Sequence, residues 1–238
     1  MTFREEIQSI VRGAKLEKRM LIGEPLFPGE ACPPDVDWVV ACHGARDALG
    51  NFDWLSGYLP YADANGVVLE AFGDVVSASP VPVLAGVCAA DPFRAHEQLL
   101  MSIKRKGFMG ICNYPSMGIM DGSFRTIVEE QGLGFDREVQ LIAEAHDKGL
   151  YTLALVFSTQ EADAMLTAGA DALLVHPGLA FNESSIMPID SYLSEIVSLS
   201  KRIPVDCPLF ACSIGPHHVK GMAYSLLNLS GFYASRIL

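Results

Sequence analysis

The chain has 238 residues, half of them hydrophobic, and a formal net charge of −11. Those numbers fit one domain, 1–238, with a sizeable core. They exclude a nucleic-acid partner, for which no Lys/Arg run is present, and a membrane span, for which an apolar run of about eighteen residues is missing.

The first segment, Met1 to Lys18, is charged and amphipathic rather than signal-like, with Phe3, Ile7, Ile10, Val11 and Ala14 on one helical face. Short apolar runs then recur along the chain. They are Met20-Leu21-Ile22, Trp38 to Cys42, Val81 to Cys88, Met109 to Cys112, Tyr151 to Phe157, Ala172 to Val175, Leu209 to Cys212 and Gly231 to Ala234. Each is apolar on both faces and bounded by Gly, Pro or Asp, as buried parallel strands are. Helical patterns separate most of them: Ala64 to Ser77, Arg94 to Lys106, Asp136 to Lys148, Thr159 to Ala168, Asp190 to Lys201 and Pro216 to Leu229. Ser158 and Ile189-Asp190-Ser191 have the composition of helix starts, and Gly107, Gly149 and Gly169 stand where left-handed C-caps end helices.

Eight strands alternating with helices predict an α/β fold, the (β/α)8 TIM barrel, with an extra N-terminal helix. No Gly-x-Gly-x-x-Gly follows the first strand, so no nucleotide cofactor is expected. The last helix is missing after strand eight, and its place falls to the N-terminal helix or to a partner subunit. A homo-oligomer is the expectation. The six cysteines show no CxxC or zinc-ribbon spacing and read as reduced thiols, which predicts a cytoplasmic protein.

Catalytic groups of such barrels sit at the C-terminal ends of the strands. Those positions are Glu24, His43, Cys88 with Asp91, Asn113, Phe157, His176, Cys212 and Ser235. His176 precedes Pro177-Gly178 and faces the barrel mouth; His43-Gly44 ends strand two in the same way. Asp91 is a candidate acid or metal ligand, and equally a helix N-cap. Glu24, Asp63, Asp91, Asp121 and Glu129 offer the hard oxygens that Mg²⁺ or another divalent metal accepts, with Glu24 and Asp91 the nearest to strand ends. Arg94 and Arg125 are built to clamp a carboxylate or phosphate bidentately, with surface ion pairing as the alternative. Ser213-Ile214-Gly215, before a helix N-terminus, offers backbone N–H groups to an anion. All seven lysines lie in helices or at helix ends, which disfavours Schiff-base chemistry.

The segment from Gly107 to Gly134 stands out. Connections between strand and helix in α/β units usually span about two to six residues, and long ones tend to be lids or binding loops. This one carries Asp121, Arg125, Glu129 and Glu130 among glycines, and predicts a lid whose Asp121 and Arg125 point into the mouth.

Five spaced motifs then carry a resemblance: Leu59 to Asn65, Val83 to Cys88, Asp91-Pro92-Phe93-Arg94, Asp121 to Arg125 and Gly132-Leu133-Gly134-Phe135. In these the chain resembles the TIM-barrel proteins called phosphoenolpyruvate hydrolase-like, also described as predicted TIM-barrel signal-transduction proteins. The likeness runs from about Tyr58 to His176 and resumes at Gly231-Phe232-Tyr233. It implies a barrel and chemistry on a small anionic 2-oxo acid or enol phosphate. The segments Gly23 to Gly29, His43 to Arg46 and Cys212 to Pro216 depart from the family pattern.

The resulting expectation is an enzyme that cleaves or hydrolyses a bond beside the carbonyl of such an acid. Arg94, Arg125, His43, Ser213, Gly215 and Ser235 would line the substrate site. Asp91, Asp121 or Glu129 would bind metal or move protons, His176 would act as acid/base or polarise the carbonyl, and Asn113 would hydrogen-bond the enolate. Two rivals stand beside it. One is a catalytically altered barrel that senses a ligand or binds a protein, suggested by the three changed loops. The other is a phosphosugar isomerase or synthase, suggested by architecture alone.

Overall fold

The computed structural model describes residues 2–17, 19–44, 63–178, 189–204, 206–212 and 229–233. Eight strands close into a barrel: β1 (Leu21–Leu26), β2 (Trp38–Ala41), β3 (Val83–Gly86), β4 (Gly110–Cys112), β5 (Tyr151–Val156), β6 (Ala172–Val175), β7 (Leu209–Cys212) and β8 (Gly231–Tyr233). Every neighbouring pair is parallel, and β8 closes on β1 with Leu21 opposite Gly231. The (β/α)8 expectation holds.

The two faces of each strand have different fates. Val40, Leu84, Cys112, Leu153, Leu155, Leu174 and Phe210 fill the barrel interior. Their neighbours Val39, Ala41, Ala85, Ile111, Ala154, Leu173 and Ala211 pack outward against the helices. Both faces are buried, which is why the strands are apolar runs without alternation. Trp38 crosses the interior, its ring stacked on Tyr233 at 5.5 Å and edge-on to Phe210 at 5.3 Å. The indole lies over Gly23, where an added Cβ would come within 2.1 Å of it, so only glycine fits there.

The helices are α1 (Phe3–Glu17), α2 (Ala64–Ala71), α3 (Gly73–Ala78), α4 (His96–Arg105), α5 (Gly122–Glu130), α6 (Phe135–Asp147), α7 (Thr159–Thr167) and α8 (Ile189–Arg202). Ser158 caps α7 by accepting the Glu161 N–H, and Gly107, Gly149 and Gly169 have φ of 89°, 75° and 88° beyond α4, α6 and α7. Those endings are as the sequence predicts.

Four expectations need correction. The single helix expected from Ala64 to Ser77 divides into α2 and α3, because the fully buried Phe72 anchors the junction with φ −110° and ψ 6°. The loop after β4 is not one long irregular lid. It contains a 3₁₀ turn (Met117–Ile119) and α5. The apolar face of α1 does not replace a helix beside β8. Ile7, Ile10 and Val11 meet Leu21, Trp38, Leu84, Tyr151 and Phe210 at the N-terminal end of the barrel, around a small cavity of about 20 Å³. Arg4 fastens this plug to the Asp171 carboxylate and to the carbonyls of His146 and Leu150. Finally, β1 continues to Leu26, so Glu24 is a mid-strand residue. Glu24 pairs in register with outward-facing Val39, which puts it on the outer face of the barrel wall.

Candidate active site at the barrel mouth

The mouth is formed where β2 to β7 end. His176 follows β6 and is partly buried. Its Nδ1 accepts the backbone N–H of Gly178 at 3.0 Å, so the ring proton sits on Nε2. Burial lowers its pKa to about 3, which keeps the imidazole neutral at physiological pH. The Phe157 ring, at the end of β5, meets it edge-on at 5.5 Å. His43 follows β2 and is also partly buried.

Thiols and a phenol surround this end of the barrel. Cys42, Cys112 and Tyr114 belong to the interior cluster, with Cys212 packed against it. Burial raises the Cys112 thiol well above its usual range, and pushes Cys88 up to about 11. These thiols are protonated at neutral pH and poor nucleophiles.

Asp91 is held by its surroundings. Its Oδ1 accepts the Phe93 N–H at 2.8 Å, and its Oδ2 accepts from Asn65 Nδ2 at 2.8 Å and Arg94 Nη1 at 3.1 Å. Asn65 is buried at the start of α2, and its Oδ1 accepts the Cys88 N–H while its Nδ2 also donates to the Cys88 carbonyl. This one amide therefore joins α2 to the exit of β3. Arg94 forms a two-pronged pair with Asp63, both contacts at 2.5 Å, and this pairing lowers the Asp63 carboxyl below its usual range. The bidentate geometry foreseen for Arg94 is thus realised on Asp63 rather than on a ligand.

Arg125 is likewise engaged. It donates to Glu129 at 2.5 Å within α5, to the Gly118 carbonyl at 2.8 Å, and to Glu161 of α7 at 2.9 Å. Asp121 is exposed at the start of α5, and its side chain makes no capping bond there. The predicted arrangement, Asp121 and Arg125 both pointing into the mouth, is not what the structure shows. The physical reason is α5 itself: its helical spacing puts Arg125 beside Glu129 and turns its side toward α7.

Asn113 is buried on the outer side of the wall, in phase with Ile111. Its Nδ2 donates to Glu138 Oε2 at 2.6 Å and to the Leu155 carbonyl at 3.0 Å, and its Oδ1 accepts the Leu155 N–H at 2.6 Å. Both amide protons are committed, so Asn113 is a strut between β4, β5 and α6 where an enolate donor was expected. Glu138 anchors the following turn too, accepting from Ser116 Oγ at 2.7 Å and from the Met117 N–H at 2.6 Å. Burial raises Glu138 to about 7 even though these three donors pull the other way.

Glu138, Glu161 and Asn65 are absent from the sequence-derived site. A signal for Glu138 was present. It shares the buried stripe of α6 with Phe135, Leu141, Ile142 and Ala145, where a carboxylate demands partners. Ser213, Gly215 and Ser235 lie outside the described residues. Among the described residues no group of three or more His, Cys, Asp or Glu side chains is placed to hold a metal ion. Glu24 lies on the outer face of the wall, and both Asp91 oxygens already accept protein donors. This donor set does not form a Mg²⁺ cage.

Residues 35–207 match the phosphoenolpyruvate hydrolase-like family. The chain belongs to this family. A tomato (Solanum lycopersicum) relative, the ToMV resistance protein Tm-1(GCR237), is 43% identical over 150 residues, covering 63% of this chain and 20% of its own length. The putative transcriptional regulatory protein y4pA of Sinorhizobium fredii (strain NBRC 101917 / NGR234) is 31% identical over 158 residues, 66% of this chain and 26% of that protein. The chain thus spans about a fifth to a quarter of these relatives. Among solved structures, phosphonopyruvate hydrolase in complex with oxalate and Mg²⁺ aligns with a TM-score of 0.62 at 14% identity, over 98% of this chain and 80% of that one. At that identity the likeness shows the shared barrel.

Proposed function

We propose that this phosphoenolpyruvate hydrolase-like barrel cleaves or hydrolyses a bond beside the carbonyl of a small anionic 2-oxo acid or enol phosphate. The observation that carries the reading is the state of His176. A neutral imidazole with Nδ1 occupied by Gly178 N–H presents Nε2–H as a donor. Such a donor stabilises negative charge developing on a carbonyl oxygen as the adjacent bond breaks and its electron pair moves into an enolate. It is badly suited to remove a proton, since Nε2 already bears one. Within this reading His176 polarises the carbonyl, and the acid/base alternative falls away. Support for the substrate class comes from family membership and from the oxalate that the structural neighbour holds.

Mg²⁺ is held by that neighbour, and the carbonyl-polarising role of His176 does not depend on it. The anion-binding role foreseen for Arg94 and Arg125 would require each to leave its carboxylates, because both guanidiniums are charge-compensated. Ser213 and Gly215 stay in the reading as backbone anion donors, and His43 as a neighbour of the substrate. Thermal-shift titration with pyruvate, oxalate and phosphoenolpyruvate, each with and without Mg²⁺, tests the reading. A concentration-dependent rise in Tm for these acids, absent with uncharged analogues, supports it.

A second reading has its own observation. With both guanidiniums compensated and the mouth lined by protonated thiols, the described residues suit retention of a ligand as well as turnover. That is the ligand-sensing or protein-interaction barrel, and the resistance and regulatory names of two relatives accord with it. Binding in the same titration with no product formed would favour it.

A further inference from the structure

Glu161 looks at first like an ordinary helix-capping residue. It is the third residue of α7 after Ser158, whose hydroxyl accepts its N–H. In a capping box the glutamate reaches back to the N–H of the capping residue itself. Here it does not. Oε2 accepts the N–H of Phe157, one residue earlier, at 2.8 Å, and Oε1 takes Arg125 at 2.9 Å. The side chain is only 10% exposed, so each oxygen is committed in a largely dry setting.

The other end of this pair is equally fixed. Arg125 Nη1 donates to the Gly118 carbonyl, and its guanidinium carbon lies 5.9 Å from the centre of the Phe135 ring. Gly118 is the floor on which Phe157 rests. A Cβ there would stand 2.8 Å from Phe157 Cδ2 and 2.9 Å from Phe135 Cδ2. Phe157 is thus gripped through its backbone by Glu161 and through its ring by the 3₁₀ turn. Its edge-on contact then falls on the His176 ring.

We propose that Arg125 and Glu161 form a strut that positions Phe157 and, through it, the imidazole of His176. The loop after β4 then acts on the mouth by holding His176 in place rather than by touching the substrate. This rests on the reading that His176 is the reacting group. Glu161 and Arg125 are positioning residues in it. The Arg125–Glu161 pair is partly buried, its side chains 26% and 10% exposed. What distinguishes this one is that its charge holds a backbone N–H next to a functional ring.

The test is a long-range ¹H–¹⁵N spectrum of the full chain, which reports the tautomer of each histidine ring without any ligand. The wild type should show His176 as a single neutral tautomer protonated at Nε2. Glu161→Ala should move the His176 ring nitrogens toward the averaged shifts of an unconstrained imidazole, while Glu161→Gln, which keeps an acceptor for the Phe157 N–H, should restore most of the wild-type pattern. Should Glu161→Ala not fold, Phe157→Leu keeps an apolar side chain at that position, removes the ring edge, and is expected to give the same displacement. Unchanged His176 signals in Glu161→Ala, or in Phe157→Leu where that variant stands in, would overturn the strut and leave Glu161 as a capping residue. The readout is independent of substrate, so a wild type that binds no 2-oxo acid would sink the proposed function without touching this result.

Discussion

Glu138 Oε2 and Asn113 Nδ2 lie 2.6 Å apart behind the barrel wall, where a helix carboxylate holds the amide that cross-links two strands. The same carboxylate takes Ser116 and Met117, so one side chain sets the start of the loop after β4.

The first prediction concerns pH. Burial raises Glu138 from the ordinary 4.5 to about 7, so the folded chain binds more protons than the unfolded chain between those values. Stability from this group therefore falls as pH rises through that window and is level above it. By the free energy of a pKa change the loss is on the order of 3 kcal/mol. Glu138→Gln does not titrate, so the stability of wild type minus that of the variant should fall from pH 5 to pH 8. Urea melts at both values check this, and a difference that rises with pH contradicts it.

The barrel itself was legible in the sequence because the eight runs are apolar on both faces and each is bounded by a helix-ending glycine, a proline or an acid. The position of His176 was legible for the same reason, as the polar residue where the β6 run stops. The roles of Asn113, Arg94 and Arg125 were not, because each is decided by a partner distant in the chain. Asn113 meets Glu138, Arg94 meets Asp63, and Arg125 meets Glu161. Glu24 was misplaced for a simpler cause. Its strand runs on through Pro25 to Leu26, and the expected end at the acid was too early. Proline interrupts a sheet only where its missing N–H is needed.

Asn65 should matter more to stability than the charged pair above it. It satisfies both backbone groups of Cys88 while buried, whereas Asp63 is half-exposed. Asn65→Ala leaves those groups without partners and should cost about 1–3 kcal/mol. Asp63→Asn keeps the N-cap and removes an exposed charge, for about 0–1 kcal/mol. Chemical denaturation of both variants measures the difference, and equal losses would show that the network acts through its charges.

A homo-oligomer is also expected. Phe124 and Ile127 are more than half exposed on α5, and Phe93 stands 86% exposed on the loop after β3, near the same end of the barrel. Apolar surface gathered at one end is unusual for a lone subunit. Sedimentation at micromolar concentration should give a mass above 25.7 kDa, with Phe124→Ser and Ile127→Ser together lowering it. A wild type that sediments as a single chain contradicts this.

In the proposed function, His176 acts on the ligand from a site the fold does not depend on. Isothermal titration of oxalate into wild type and His176→Ala, beside their thermal melts, tests it most directly. Oxalate stands in for the planar enolate of a 2-oxo acid. Wild type is expected to bind oxalate measurably, and the variant to lose at least tenfold in affinity while keeping a Tm within a few degrees of wild type. A variant that binds oxalate as well as wild type but melts far lower would contradict it, and would make His176 a residue of the barrel's structure alone.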